Sequence, residues 1–139
     1  MSTTIRPELS ERNKYWIDKH RYYELKHFCL QYPIWKKARA ALNSLNGCSK
    51  YLLTISKNIK EDSPVEKCVE ARLFYTDRIK MIENAACEAN EIMAIYILKA
   101  VTEGISYEHL RASMNIPCCR DTYYELYRRF FWILSNKRK

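Results

Sequence analysis

The sequence predicts an all-α protein of about six helices, and three observations lead there. Glycine occurs twice and proline four times in 139 residues, too few for the turns that a succession of short strands needs. Apolar residues recur at three-to-four spacing over several long windows, the period of a helix that buries one face. Hydrophobic content of 47% with 29% charged residues is that of a globular chain, long enough to bury a core without staples.

Ser10 reads as the N-cap of a first helix that runs to about Tyr32, where Pro33 interrupts it. Within it Trp16, Tyr23, His27 and Leu30 form an apolar-leaning stripe, with Tyr15, Tyr22, Leu25 and Cys29 beside it. Arg12, Lys19 and Lys26 recur every seven residues as a basic stripe on another face. A second helix, residues 34–45, carries Lys36, Lys37 and Arg39 and ends near Gly47. This basic, aromatic-rich pair suits either core packing with a solvated cationic face, or contact with phosphates or a partner protein. Residues 46–63 hold Leu52, Leu53, Ile55 and Ile59, which suit a short helix or a packed loop.

Ser63 and Pro64 read as N-cap and first-turn proline of a long helix of about six turns. Val65, Cys68, Arg72, Tyr75, Ile79, Ile82 and Ala86 follow heptad-like spacing along it, with Val69, Phe74 and Ala85 nearby. Such a seam wants another helix, either within the chain or across a homodimer formed through residues 64–88. Asn90 is a plausible cap for the next helix, in which Ile92, Ile95, Tyr96, Leu98, Lys99 and Val101 lead to Gly104. Residues 1–88 therefore read as an N-terminal helical region and residues 89–139 as a second region.

The second region is the more specific. Ser106, with Glu108 and His109, opens a helix of about eight residues with Tyr107, Leu110 and Met114 on its inner face. Asn115 suits a tight exit, Ile116 plugs into the core, and Pro117 starts the following segment. In the last helix Tyr123, Leu126, Tyr127, Phe130, Ile133 and Leu134 form the expected buried stripe. Asp121, Tyr124, Glu125, Arg128 and Arg129 are expected towards the other side. Two helices joined by a short turn, the second basic on its outer face, follow helix-turn-helix logic.

Charge and cysteine usage narrow the function classes. The net charge of +8 favours an anionic partner, nucleic acid ahead of a membrane. It is spread unevenly, with 12 Lys and Arg against 6 Asp and Glu in residues 1–63, 5 against 7 in 64–103, and 7 against 3 in 104–139. The six cysteines, Cys29, Cys48, Cys68, Cys87, Cys118 and Cys119, form no CxxC pair, and no HxxxH or HExxH spacing accompanies the three histidines, so no metal site is expected. The stretch MSTTIRPELS lacks the apolar core of a secretory signal and no apolar run approaches a membrane span. A cytoplasmic, reducing setting is the expectation, with free thiols; Cys68 and Cys87 read as small core residues. Two glycines leave no phosphate-cradling loop, and a Cys118 or Cys119 nucleophile with His109 as base lacks a third orienting group. No enzymatic activity and no cofactor are expected.

The segment YILKAVTEGISYEHLRASMNI, residues 96–116, resembles the opening of a sigma-factor region-four helix-turn-helix. The following IPCCRDTYYELYRRFF resembles the phage and prophage transcriptional regulators of the RinA and ArpU type. Earlier stretches, KYWIDKHRYYELKHFCLQYPIWKKA and DRIKMIENAACEANEI, are similar to the N-terminal helices of such proteins. Ile116 and Thr122 are separated by two residues more than in the sigma-type pattern. The resemblance implies a transcriptional regulator that reads double-stranded DNA through its C-terminal helix-turn-helix in the cytoplasm of a bacterial host cell.

Physical reasoning then selects the contact residues. Backbone amides around Cys119 and Arg120 present the positive end of the last helix to a phosphate. Arg120 is the leading candidate for a base or phosphate contact, and Tyr124 and Arg128 continue its track one and two turns on. Glu125 suits a cytosine amine or an ion pair with Arg128 or Arg129, and Asp121 lies beside them. Arg111 on the preceding helix, and Lys137 and Arg138 in the tail, are placed for phosphates. Two further readings stand beside DNA recognition. One is a helical module that grips RNA polymerase or a host factor; the other is a packaging protein resembling small terminase subunits, whose helix-turn-helix normally comes first.

Overall fold

The computed structural model describes residues 14–44 and 64–138. Among these the chain is all α-helix, in six segments: α1 (Lys19–Leu30), α2 (Tyr32–Ser44), α3 (Pro64–Ala89), α4 (Ala94–Glu103), α5 (Tyr107–Met114) and α6 (Arg120–Lys137). Ser10, Arg12, residues 46–63 and Lys139 lie outside the described residues.

α1 starts at Lys19 because Asp18 is its N-cap. The Asp18 carboxylate accepts from the His20 amide at 2.9 Å, satisfying a first-turn donor. The helix ends at Leu30, and Pro33 falls in the first turn of α2, where its missing N–H costs no hydrogen bond. The proline opens the second helix rather than closing the first. Asn90 caps as expected, though for the turn at residues 91–93: its Oδ1 accepts from the amides of Ile92 and Met93 at 2.9 and 3.0 Å. That turn runs directly into α4.

Packing groups the described residues into two units, 14–31 with 81–138, and 32–80. The sequence boundary after residue 88 falls inside the first of these. In that unit α1 packs on α4 and α6, and α4 also meets α5. The inner face of α1 is Tyr22, Leu25, Phe28 and Cys29, whereas Trp16 and His27 are exposed and Tyr23 and Leu30 half-buried. The expected stripe is thus turned partway round the helix, because Trp16 precedes Asp18 and is not helical. From α6 come Tyr123, Tyr124, Tyr127, Phe130, Phe131 and Leu134; Leu126 and Ile133 are half-buried. Phe131 sits edge-on to Tyr22 at 5.1 Å and to Tyr127 at 4.9 Å between ring centres. The Tyr22 and Tyr127 hydroxyls share a buried hydrogen bond of 2.9 Å, so neither polar tip is stranded. Burial pushes the Tyr127 hydroxyl well above its ordinary pKa. The C-terminal part of α3 adds buried Ile82, Ala85, Ala86 and Ala89.

In the other unit Tyr32, Trp35 and Ile79 are buried, while Ile34, Val69, Leu73 and Phe74 are exposed. The Arg78 guanidinium lies 3.5 Å over the Phe74 ring. Along α3 the expected seam is only half-buried at Cys68, Arg72 and Tyr75 and becomes fully buried from Ile79 on. Cys68 and Cys87 were expected in the core, but Cys68 is half-buried and Cys87 exposed. Cys29 is the core cysteine, and burial raises its thiol pKa.

Candidate nucleic-acid interface

α4 ends on Gly104, whose φ of 68° and ψ of 34° place it in the left-handed region that glycine tolerates. The Ile105 amide donates back to the Ala100 carbonyl at 3.1 Å and closes the turn. Ser106 then caps α5, its hydroxyl accepting from the His109 amide at 3.3 Å. α5 ends on Asn115, also left-handed at φ 51°. The chain crosses to α6 through residues 115–119, with Ile116 buried as the plug its sequence implies.

Tyrosines fix this connection. The Tyr107 ring of α5 lies 5.2 Å from Tyr123 and 6.3 Å from Tyr124 of α6. The Tyr107 hydroxyl donates to the Cys118 carbonyl at 2.8 Å, pinning the turn just before the helix begins. Cys119 is the N-cap of α6, and its carbonyl accepts from the Tyr123 amide at 3.0 Å. Its sulfur lies 3.1 Å from the Thr122 hydroxyl, a hydrogen bond that holds the Cys119 thiol below its ordinary pKa. Cys118 is half-buried, and burial raises its thiol.

The expected contact residues separate into three groups. Arg111, Arg120, Asp121, Glu125 and Arg129 are exposed around α5 and the outer face of α6, as is Cys119; Arg128 is half-buried. Arg120 reaches across the connection to Glu108, 3.3 Å away, with its guanidinium 5.5 Å from the centre of the Tyr124 ring. Asp121, Glu125 and Arg128 border a groove with Lys14 and Tyr15.

Tyr124 is placed differently from the outward position expected of it. It is 5% exposed and belongs to the tyrosine cluster with Tyr107, Tyr123 and Tyr127. Six of the residues in α6 are aromatic, and spacing alone does not say which tyrosine bears the cluster and which faces water.

Lys137 and Arg138 are also placed otherwise, since both fold back onto their own unit. Lys137 Nζ pairs with Glu88 at 3.0 Å. Arg138 pairs with Glu24 of α1 and stacks 4.2 Å over the Phe28 ring. Arg21 completes this clasp: it donates to the Ser135 carbonyl at 3.1 Å, to the Ser135 hydroxyl at 3.2 Å, and to the Arg138 carbonyl. An arginine from α1 thereby caps the orphan carbonyls at the end of α6. Sequence reasoning missed Arg21, Glu24 and Glu88, and no local signal marks them.

Among the described residues no cluster of three or more histidine, cysteine or carboxylate side chains is placed to hold a metal ion. No helix among them is long and apolar enough to cross a membrane. Comparison with known proteins finds no matching family model, no matching curated protein and no matching solved structure.

Proposed function

We propose that this chain is a non-catalytic regulator that binds double-stranded DNA, with α6 as the helix laid in the major groove and α5 across the backbone. The observation that carries this reading is the two-sided build of α6. Its inner face is anchored by a continuous tyrosine and phenylalanine cluster, while Arg120 and Arg129 are exposed, Arg128 is half-buried, and Arg111 of α5 borders the same groove as Arg120. A rigid helix with one arginine at its amino terminus and two more about two turns on suits phosphates and guanine edges. The Arg120–Glu108 pair is solvent-exposed and worth about 0–1 kcal/mol, so its release to DNA costs little. The resemblance to RinA- and ArpU-type phage regulators supports the same reading and adds a transcriptional role.

The test is fluorescence anisotropy on duplexes selected from genomic fragments, across a salt series. Binding that survives Arg120→Ala with Arg128→Ala unchanged sinks the recognition-helix assignment.

A second reading has an observation in its favour. The outer face of α6 mixes Asp121 and Glu125 with its arginines, and two tail cations are already paired within the chain. Such a face suits a protein such as RNA polymerase better than bare phosphates do. Co-purification of polymerase from nuclease-treated lysate supports this alternative; recovery of DNA without polymerase counts against it. A homodimer through α3 belongs to the proposal as well, since Val69 and Leu73 lie one turn apart and exposed. Light scattering that gives a monomer mass at high concentration removes it.

A further inference from the structure

The interior of the larger unit holds a cavity of about 80 Å³ where α1, α4 and α6 meet. Its lining is unusual for a void left by imperfect packing. Tyr107, Tyr123, Tyr124, Tyr127 and Phe131 line it with aromatic faces, and no aspartate or glutamate does. The one formal charge on its wall is Lys26, half-buried on α1 and without an ion pair among the described residues. Lys26 also belongs to the basic sequence stripe of Arg12, Lys19 and Lys26, which DNA recognition by α6 does not use.

The hydroxyl groups make the second observation. Tyr127 is satisfied by Tyr22, and Tyr107 by the Cys118 carbonyl. Tyr123 is 1% exposed and Tyr124 5% exposed, yet neither hydroxyl has a hydrogen-bond partner among the described residues. Neither hydroxyl is among the fully buried polar atoms left without a partner, so both stay within reach of water or of a molecule in the cavity. A void of this size admits about five waters, or the ring of one small molecule.

We propose that this cavity is a binding site for a small monocyclic aromatic carboxylate. The ring is taken between the tyrosine and Phe131 faces, and aromatic side chains favour such edge and offset contacts. The carboxylate accepts from the Tyr123 or Tyr124 hydroxyl and faces the Lys26 ammonium. An anion matches a wall with one cation and no carboxylate; a cation has no partner there. The site stands independently of DNA recognition. It abuts that recognition, however, because Tyr124 lies under Arg120 and Tyr107 pins the turn before α6.

The probe is benzoate, with benzyl alcohol as its uncharged counterpart, titrated into the full chain by calorimetry and by the shifts of aromatic proton resonances. Saturable binding of benzoate is expected, tighter than benzyl alcohol by about fivefold, the effect of one partly screened ion pair. Lys26→Met brings the two probes to parity while leaving benzyl alcohol binding in place. Ala100→Leu, from the cavity wall, removes binding of both. The proposal is overturned if neither probe saturates, if benzoate keeps its advantage in Lys26→Met, or if a folded Ala100→Leu variant binds as before. Should Ala100→Leu not fold, Lys26→Met decides alone, since its side chain is half-buried and no ion pair is lost.

Discussion

The two ends of α6 carry the same kind of side chain and use it in opposite ways. At the amino-terminal end Arg120 has one exposed carboxylate partner, Arg111 of α5 and the mid-helix Arg129 are exposed, and the cap is the chain's own Cys119. At the carboxy-terminal end Lys137 and Arg138 are folded back on Glu88 and Glu24, and Arg21 reaches in from α1 to take the last carbonyls. A helix presents orphan donors at its start and orphan acceptors at its finish. Here the donors are left towards solvent and the acceptors are closed by an arginine of the same unit. Cationic residues alone therefore do not mark a binding surface; what matters is whether a carboxylate or carbonyl of the chain already holds them.

If that contrast is functional, the largest effects come from the open end. Arg120→Ala and Arg128→Ala are each expected to weaken duplex binding about tenfold or more, at roughly 1–3 kcal/mol per base contact. Lys137→Ala is expected to change affinity less than about twofold. The salt dependence gives an independent reading. Four arginines on phosphates predict a slope of log affinity on log salt of magnitude roughly 3.6, at about 0.9 per contact. Addition of Lys137 and Arg138 raises it to roughly 5.4 by the same rule. A steep slope that Lys137→Ala reduces breaks the contrast.

The closed end predicts stability effects instead. Arg138→Ala removes the Glu24 pair and the Phe28 stack, and is expected to cost about 1 kcal/mol. Thermal unfolding then falls by about 4 °C, with DNA affinity unchanged. The pH dependence follows from Glu24, whose carboxyl is held below its ordinary value of 4.5, foremost by the hydrogen bond from Arg138. A lowered folded pKa adds stability above the unfolded value, and that stability is lost as pH falls through the folded one. Unfolding midpoints are thus expected to drop below about pH 4.5 in the native chain, with a shallower drop in Glu24→Gln. Equal acid slopes for the two chains refute the clasp.

The same contrast explains what the sequence made legible. α5 and its flanks were readable because every signal is local: Gly104, the Ser106 cap, Asn115 and the Ile116 plug act within a few residues of themselves. The exposed arginines at the start of α6 followed from the same register. Tyr124 did not, because a tyrosine suits both a buried cluster and a wet face, and only Tyr107 of another helix decides between them. The clasp was invisible for a stronger reason. Arg21 and Ser135, like Glu24 and Arg138, are 114 residues apart, and nothing near either partner announces the other. Asp18 shows the local version of this limit: Ser10 has equal cap chemistry, and composition does not choose between them.

The smallest expected effect is the sharpest probe of the open end. Cys119 is exposed, with its thiol pKa lowered first of all by the Thr122 hydroxyl; Cys118 next to it is raised by burial, and Cys29 is raised within the core. The thiolate is the reacting species, so iodoacetamide at mildly alkaline pH is expected to label Cys119 before Cys118, and Cys29 only on unfolding. Thr122→Val removes the hydroxyl but keeps the shape, and should slow Cys119 labelling through a smaller thiolate fraction. Duplex DNA seated at the start of α6 should shield Cys119, while Cys87, exposed elsewhere, keeps its rate. Mass spectrometry of labelled peptides reads all these rates in one experiment. Unchanged Cys119 labelling at saturating DNA places the duplex away from the open end, and with it the arginines that this end presents.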